Sequence, residues 1–97
     1  MKSITIHELH RSTGIPLIDV REPDEYAAGH VPGAVSLPMS TLGEHLDALP
    51  DEPFHVICHA GARSARVVEA LTARGYDATN VDGGTGEWVA GGYKIEY

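Results

Sequence analysis

Short β-rich runs alternate with stretches of helical spacing along the whole chain, and this alternation constrains the fold more than any other feature. Ser3-Ile4-Thr5-Ile6 has the character of a first strand, with a short helix over His7–Arg11 that stops ahead of Gly14. Pro16-Leu17-Ile18-Asp19-Val20 is an apolar run of the buried-strand type, and Pro23 with Asp24 and Glu25 suits the first turn of a helix reaching Ala28 before Gly29. Val31–Ala34 predicts a turn and Ala34–Leu37 a brief strand stopped by Pro38. Ser40 and Thr41 offer an N-cap, with Glu44 as capping-box partner, for a helix to Leu49 that Pro50 ends. Phe54–Cys58 is the next strand, and residues 63–74 place Val67, Val68, Ala70 and Leu71 at helical spacing before Gly75. Tyr76–Val81 predicts a last strand, Gly83-Gly84 a turn, and Thr85–Ala90 a short helix with Trp88 in the core. The expectation is an α/β fold of one domain over residues 1–97, built on a mainly parallel sheet.

At 97 residues and 42% hydrophobic content the chain has the composition of a globular domain. It holds one cysteine, Cys58, which excludes an internal disulfide, a Cys-x-x-Cys redox pair and any zinc site needing several thiolates. A single free thiol fits a reducing compartment. The opening residues carry no apolar signal core, and no run of about 18 apolar residues occurs. The cytoplasm is therefore the expected location, without a membrane partner. A net charge of −7 argues against nucleic acid, whose binding needs a basic surface. Residues 58–74 nevertheless hold Arg63, Arg66 and Arg74 against one acid, Glu69, a local excess that suits a small anion.

In parallel sheets, ligands bind beyond the carboxyl ends of the strands. Cys58-His59-Ala60-Gly61-Ala62-Arg63-Ser64 lies at such an end and leads into a helix, so several backbone N–H groups can converge on the sulfur. Helix N-termini and nearby cations lower a cysteine pKa from ~8.5 to ~3.5–7.5, which creates a nucleophile at neutral pH. Gly61 suits a tight loop that needs positive φ or close backbone approach. Arg63 and Arg66 stand at a helix start, where the macrodipole disfavours cations by ~0.3–1 kcal/mol each, and a bound anion would reverse that sign. The alternative is a cysteine that merely fills space under surface arginines.

Taken together, the segments Leu17–Glu22, Glu25-Tyr26, Gly29–Ala34, Cys58–Ser64 and Asp82-Gly83-Gly84 with Trp88 resemble a single-domain rhodanese of the sulfurtransferase superfamily. The resemblance implies a three-layer domain with a central parallel sheet of about five strands flanked by helices. It also implies that Cys58 takes a sulfane sulfur from a donor as a persulfide and passes it to a nucleophilic acceptor. Thiosulfate would lose its outer sulfur to Cys58 and release sulfite, and residues 59–64 would cradle the product. Arg63 would hold the donor's anionic end through paired hydrogen bonds. His59 stands where thiosulfate-using members often carry arginine or lysine, which leaves thiosulfate, 3-mercaptopyruvate and a protein persulfide open as donors. Cyanide, glutathione or a thioredoxin-like protein would serve as acceptor. Related phosphatases and arsenate reductases place five residues between cysteine and arginine; this chain has four, a smaller ring suited to a persulfide sulfur. A lone thiol cannot discharge its own persulfide as an internal disulfide, so an outside acceptor must end each cycle. The rival to turnover is a persulfide carrier or binding module dedicated to one partner protein.

Other residues carry weaker expectations. Asp19 and Arg21 either form a structural ion pair that braces the loop or add positive field to the pocket. Arg66 joins them as possible pocket support, and Ser64 either caps the helix or reaches the sulfur. His30 suits a hydrogen bond in a turn. His7-Glu8-Leu9-His10 spaces its histidines three apart, not the four of a zinc-protease helix. Nothing in the sequence calls for a metal or an organic cofactor.

Overall fold

The computed structural model describes residues 1–97. A five-stranded sheet contains β1 (Ser3–Ile4), β2 (Leu17–Asp19), β3 (Val35–Ser36), β4 (Phe54–Ile57) and β5 (Ala78–Val81) in the spatial order β1-β5-β4-β2-β3, with every neighbouring pair parallel. Four helices, α1 (Ile6–Arg11), α2 (Pro23–Ala27), α3 (Ala62–Ala73) and α4 (Gly84–Ala90), flank it. No helix is long and apolar enough to cross a membrane.

Side-chain alternation along the strands divides the core between the two faces of the sheet. Ile18, Val20, Phe54, Val56 and Cys58 join Val67, Val68 and Leu71 of α3 in one cluster. Leu17, Ile57 and Val81 join Ile6, Leu9 and Trp88 from α1 and α4 in the other. β2 and β4 are buried along their whole length, which accounts for their unbroken apolar character. Cys58 follows β4 on the α3 face, whereas Asp19 alternates away from Ile18 and Val20.

Several boundaries differ from the sequence expectation for local reasons. The first strand stops at Ile4 because Thr5 serves as N-cap to Glu8, in a capping box that starts α1 at Ile6. α4 starts at Gly84 instead of Thr85, so Gly84 belongs to the helix and not to the preceding turn. The expected helix from Ser40 to Leu49 is instead two 3-10 turns, Leu42–Glu44 and Leu46–Ala48, and Thr41 makes no side-chain cap. Gly43 weakens so short a segment, and His45 at φ −132° breaks it. Burial of Leu42 and Leu49, with Leu46 packed beside them, holds the turns on the α3 face.

Candidate active site

The end of β4 is held on both sides before the loop begins. Leu17↔His55 and Asp19↔Ile57 set the register with β2, and Phe54↔Ala78 sets it with β5. Beyond Ile57 the chain turns through Cys58, His59 and Ala60 into Gly61, the N-cap of α3 at φ +102°. A β-carbon on Gly61 would also lie 3.3 Å from the backbone nitrogen of Gly83, so strain and crowding both favour glycine. The reversal points the first N–H groups of α3 back toward the Cys58 side chain.

Cys58 is 1% exposed, and its Sγ accepts hydrogen bonds from Gly61 N at 3.1 Å and Ser64 Oγ at 3.3 Å. Burial alone would push this thiol up. The Ser64 hydroxyl and the backbone N–H groups of Ser64, Gly61 and Ala60 more than offset it, leaving the pKa below its ordinary value of 9.0. The Ser64 hydroxyl also lies 3.2 Å from the Gly61 carbonyl, so its single proton is shared between the sulfur and the loop. His59 and Ala60 are exposed at the rim, and Ala62 is exposed on the first turn of α3.

Arg63 lies close enough to Cys58 for the two charges to interact, but its guanidinium is already paired. Arg63 Nη1 and Nη2 donate to the two carboxylate oxygens of Glu25 at 2.8 and 2.9 Å, joining α3 to α2 across 38 positions of sequence. Glu25 also accepts from Glu22 N at 3.1 Å. The Arg63 bond, reinforced by that N–H, lowers the Glu25 carboxyl from 4.5 to about 2. Arg66 is exposed beside Met39, Leu42, Leu46 and Arg74, along the groove between α3 and the 3-10 turns. The positive excess noted in residues 58–74 is thus divided between one paired arginine and a different surface.

Asp19 and Arg21 form a buried ion pair. Arg21 Nε and Nη2 donate to the Asp19 carboxylate at 2.8–3.2 Å, and Nη2 reaches the Gly29 carbonyl at 2.9 Å. Arg21 N also donates to Asp19 Oδ1, closing the end of β2 on itself. Arg21 borders a recess shared with Glu25, Gly29, His59, Thr85 and Gly86, so the pair lies beside the Cys58 loop as well as bracing the fold.

Three further supports were not evident in the sequence. Thr85 N and Gly86 N donate to the carbonyls of Cys58 and His59, both at 2.9 Å, so α4 clamps the loop from behind. Asn80 Nδ2 donates to the Gly61 carbonyl at 3.4 Å and to Asp82 Oδ1 at 3.0 Å. Glu25 is the third, and its partner lies too far along the chain for any local pattern to reveal. Three other histidines are engaged away from the sulfur: His30 Nδ1 bonds the Tyr26 carbonyl, His7 Nδ1 bonds the Tyr93 hydroxyl, and His10 stacks on Tyr93. No three His, Cys, Asp or Glu side chains group as a metal site.

The chain is similar to known proteins over most of its length. The family described as Rhodanese-like domain matches residues 5–91. The "Putative sulfurtransferase YtwF" of Bacillus subtilis (strain 168) is 40% identical over 73 residues, covering 74% of this chain and 71% of that protein. Among solved structures, a rhodanese-related protein from Thermoplasma volcanium aligns with a TM-score of 0.94 at 34% identity, over 99% of this chain and 98% of its own. The protein SSP1007 from Staphylococcus saprophyticus aligns with a TM-score of 0.91 at 38% identity, over the full length of both chains.

Proposed function

Because this chain belongs to the rhodanese-like domain family, we propose that residues 1–97 act as one sulfurtransferase domain working through a persulfide on Cys58. The observation that supports this most directly is the pair of hydrogen bonds from Gly61 N and Ser64 Oγ to a buried Cys58 sulfur. The same donors that favour a thiolate would favour the terminal sulfur of a persulfide, which is also an anion.

With thiosulfate as donor, the Cys58 thiolate attacks the outer sulfur. A new S–S bond forms, the old one breaks, and sulfite leaves with the bonding pair. An acceptor then attacks the outer sulfur of the persulfide and regenerates the thiolate. Cyanide would leave as thiocyanate, and glutathione or a thioredoxin-like thiol would leave as its persulfide. Residues 59–64 line the receiving loop, and Arg63 meets the donor's anionic end once its hold on Glu25 is loosened. A reducing compartment such as the cytoplasm suits both the free thiol and thiol acceptors.

The test is mass spectrometry after treatment with thiosulfate. An added sulfur of about 32 Da, absent in Cys58→Ser, is the expected result. Absence of an adduct with every sulfane donor would overturn the assignment. Phosphate release from an aryl phosphate without thiocyanate formation would point to the phosphatase alternative.

The occupied guanidinium of Arg63 favours a second reading, a carrier that delivers sulfur to one protein partner with little small-molecule turnover. A persulfide that forms, yet is discharged by neither cyanide, glutathione nor thioredoxin, would support it.

A further inference from the structure

Arg63 and Glu25 meet through two parallel hydrogen bonds, the arrangement a guanidinium uses to grip an oxyanion. An internal carboxylate therefore already occupies the N–H pair that the anionic end of a donor would need. The pair is one-third exposed on each side, so solvent and small solutes reach it. Glu25 is fixed from its own side as well, because Glu22 N donates to Oε1 in the first turn of α2. Glu22 is itself held by the Ser40 hydroxyl at 2.7 Å, which places a second carboxylate nearby.

We propose that Glu25 is a donor-selecting residue, an internal carboxylate that competes with the donor for Arg63. It biases the site against compact dianions and toward donors carrying less negative charge beside the transferred sulfur. The competition holds at any pH near neutrality, because Arg63 keeps the Glu25 carboxyl ionised down to about pH 2. A small dianion must either displace the carboxylate from Nη1 and Nη2 or bind the remaining N–H groups while facing it. The penalty grows with the charge on the donor.

The inference rests on the sulfurtransferase reading for its meaning. Its test uses equilibrium binding, which needs no sulfur transfer. In a Cys58→Ser background, thiosulfate and methanethiosulfonate are titrated by NMR with Glu25 intact and with Glu25→Gln. Both probes present a terminal sulfur next to an oxidised sulfur, but the first is a dianion and the second a monoanion. Glu25→Gln keeps the side-chain shape and removes the charge. It is expected to tighten thiosulfate about tenfold, and methanethiosulfonate by the square root of that factor, about threefold, since half the donor charge halves the repulsion. Both gains shrink as salt rises. Glu25→Asp, which retains the charge, stays near the parent, and thermal melting confirms that each variant is folded.

Equal tightening of both anions, or no tightening of thiosulfate, would overturn the proposal. If the binding shift appears while the wild-type chain forms no persulfide with any donor, the sulfurtransferase reading fails and the competition at Arg63 stands.

Discussion

Gly84 packs so tightly against Cys58 that a β-carbon on it would lie 2.3 Å from the Cys58 carbonyl oxygen and 2.5 Å from that of His59. Its φ of +58° adds a second demand for glycine. Gly84→Ala is expected to lower stability by more than the ~1–2 kcal/mol of a left-handed residue alone, because the loop must also move. Gly33→Ala is the control, since Gly33 has φ +84° with no heavy atom within 4 Å of its would-be β-carbon. Urea unfolding should show a clearly larger loss for Gly84→Ala, along with slower alkylation of Cys58. Equal losses would mean that the close approach carries no weight.

Ser64 supplies the hydroxyl nearest the sulfur. Removing it in Ser64→Ala takes away a donor to the thiolate and should raise the pH midpoint of Cys58 alkylation by iodoacetamide above that of the wild type, whose own midpoint lies below 9.0. An unchanged midpoint would assign Ser64 to holding the loop alone, through the Gly61 carbonyl.

Glu25 ties α2 to α3 in a way that pH can read. Its carboxyl is lowered from 4.5 to about 2 in the folded chain, so the unfolded chain binds more protons between those values. The stability that Glu25 contributes should be fully present above pH 4.5 and lost as pH falls through 2. Because the pair is partly exposed, the contribution should be about 1 kcal/mol or less. Unfolding of wild type and Glu25→Gln across that range should show the gap closing toward acid. A gap that widens toward acid would contradict the ion pair.

Asp19 is fully buried against Arg21, and breaking a buried pair leaves an uncompensated charge. Asp19→Ala should therefore cost about 3–5 kcal/mol, read as a lower denaturation midpoint. A loss below about 1 kcal/mol would show that Arg21 finds enough compensation in the Gly29 carbonyl and the adjoining recess.

The parts of this molecule that were legible in the sequence are those governed by neighbouring residues. The strand and helix order followed from buried runs such as Leu17–Asp19 and Phe54–Ile57 and from the Val67, Val68 and Leu71 face of α3. Gly61 was readable because the demand for positive φ arises within its own loop. What escaped depends on pairs brought together by the sheet. Glu25 reads as a helix-start acid until α2 is seen beside Arg63, and Gly84 reads as a turn residue until α4 is pressed against the Cys58 loop. Arg66 looked like a neighbour of the thiol on charge alone, but it faces the 3-10 turns instead. The spacing of Leu42, Leu46 and Leu49 suits one regular helix, yet buried leucines seat a broken segment equally well.

The 1% exposure of Cys58 has a consequence for the chain's lifetime under oxidants. Without cargo, the protein presents almost no reactive sulfur to solvent. If Cys58 takes a second sulfur as proposed, that atom would lie beyond the buried Sγ at the mouth of the loop, where an acceptor would meet it. Sensitivity to peroxide should therefore follow occupancy, with the resting chain slow to reach the irreversible sulfinic acid and the charged chain quick to react. In a persulfide-bearing chain, oxidation would fall first on the outer sulfur, and reductive cleavage of the modified S–S bond would return the original thiol intact.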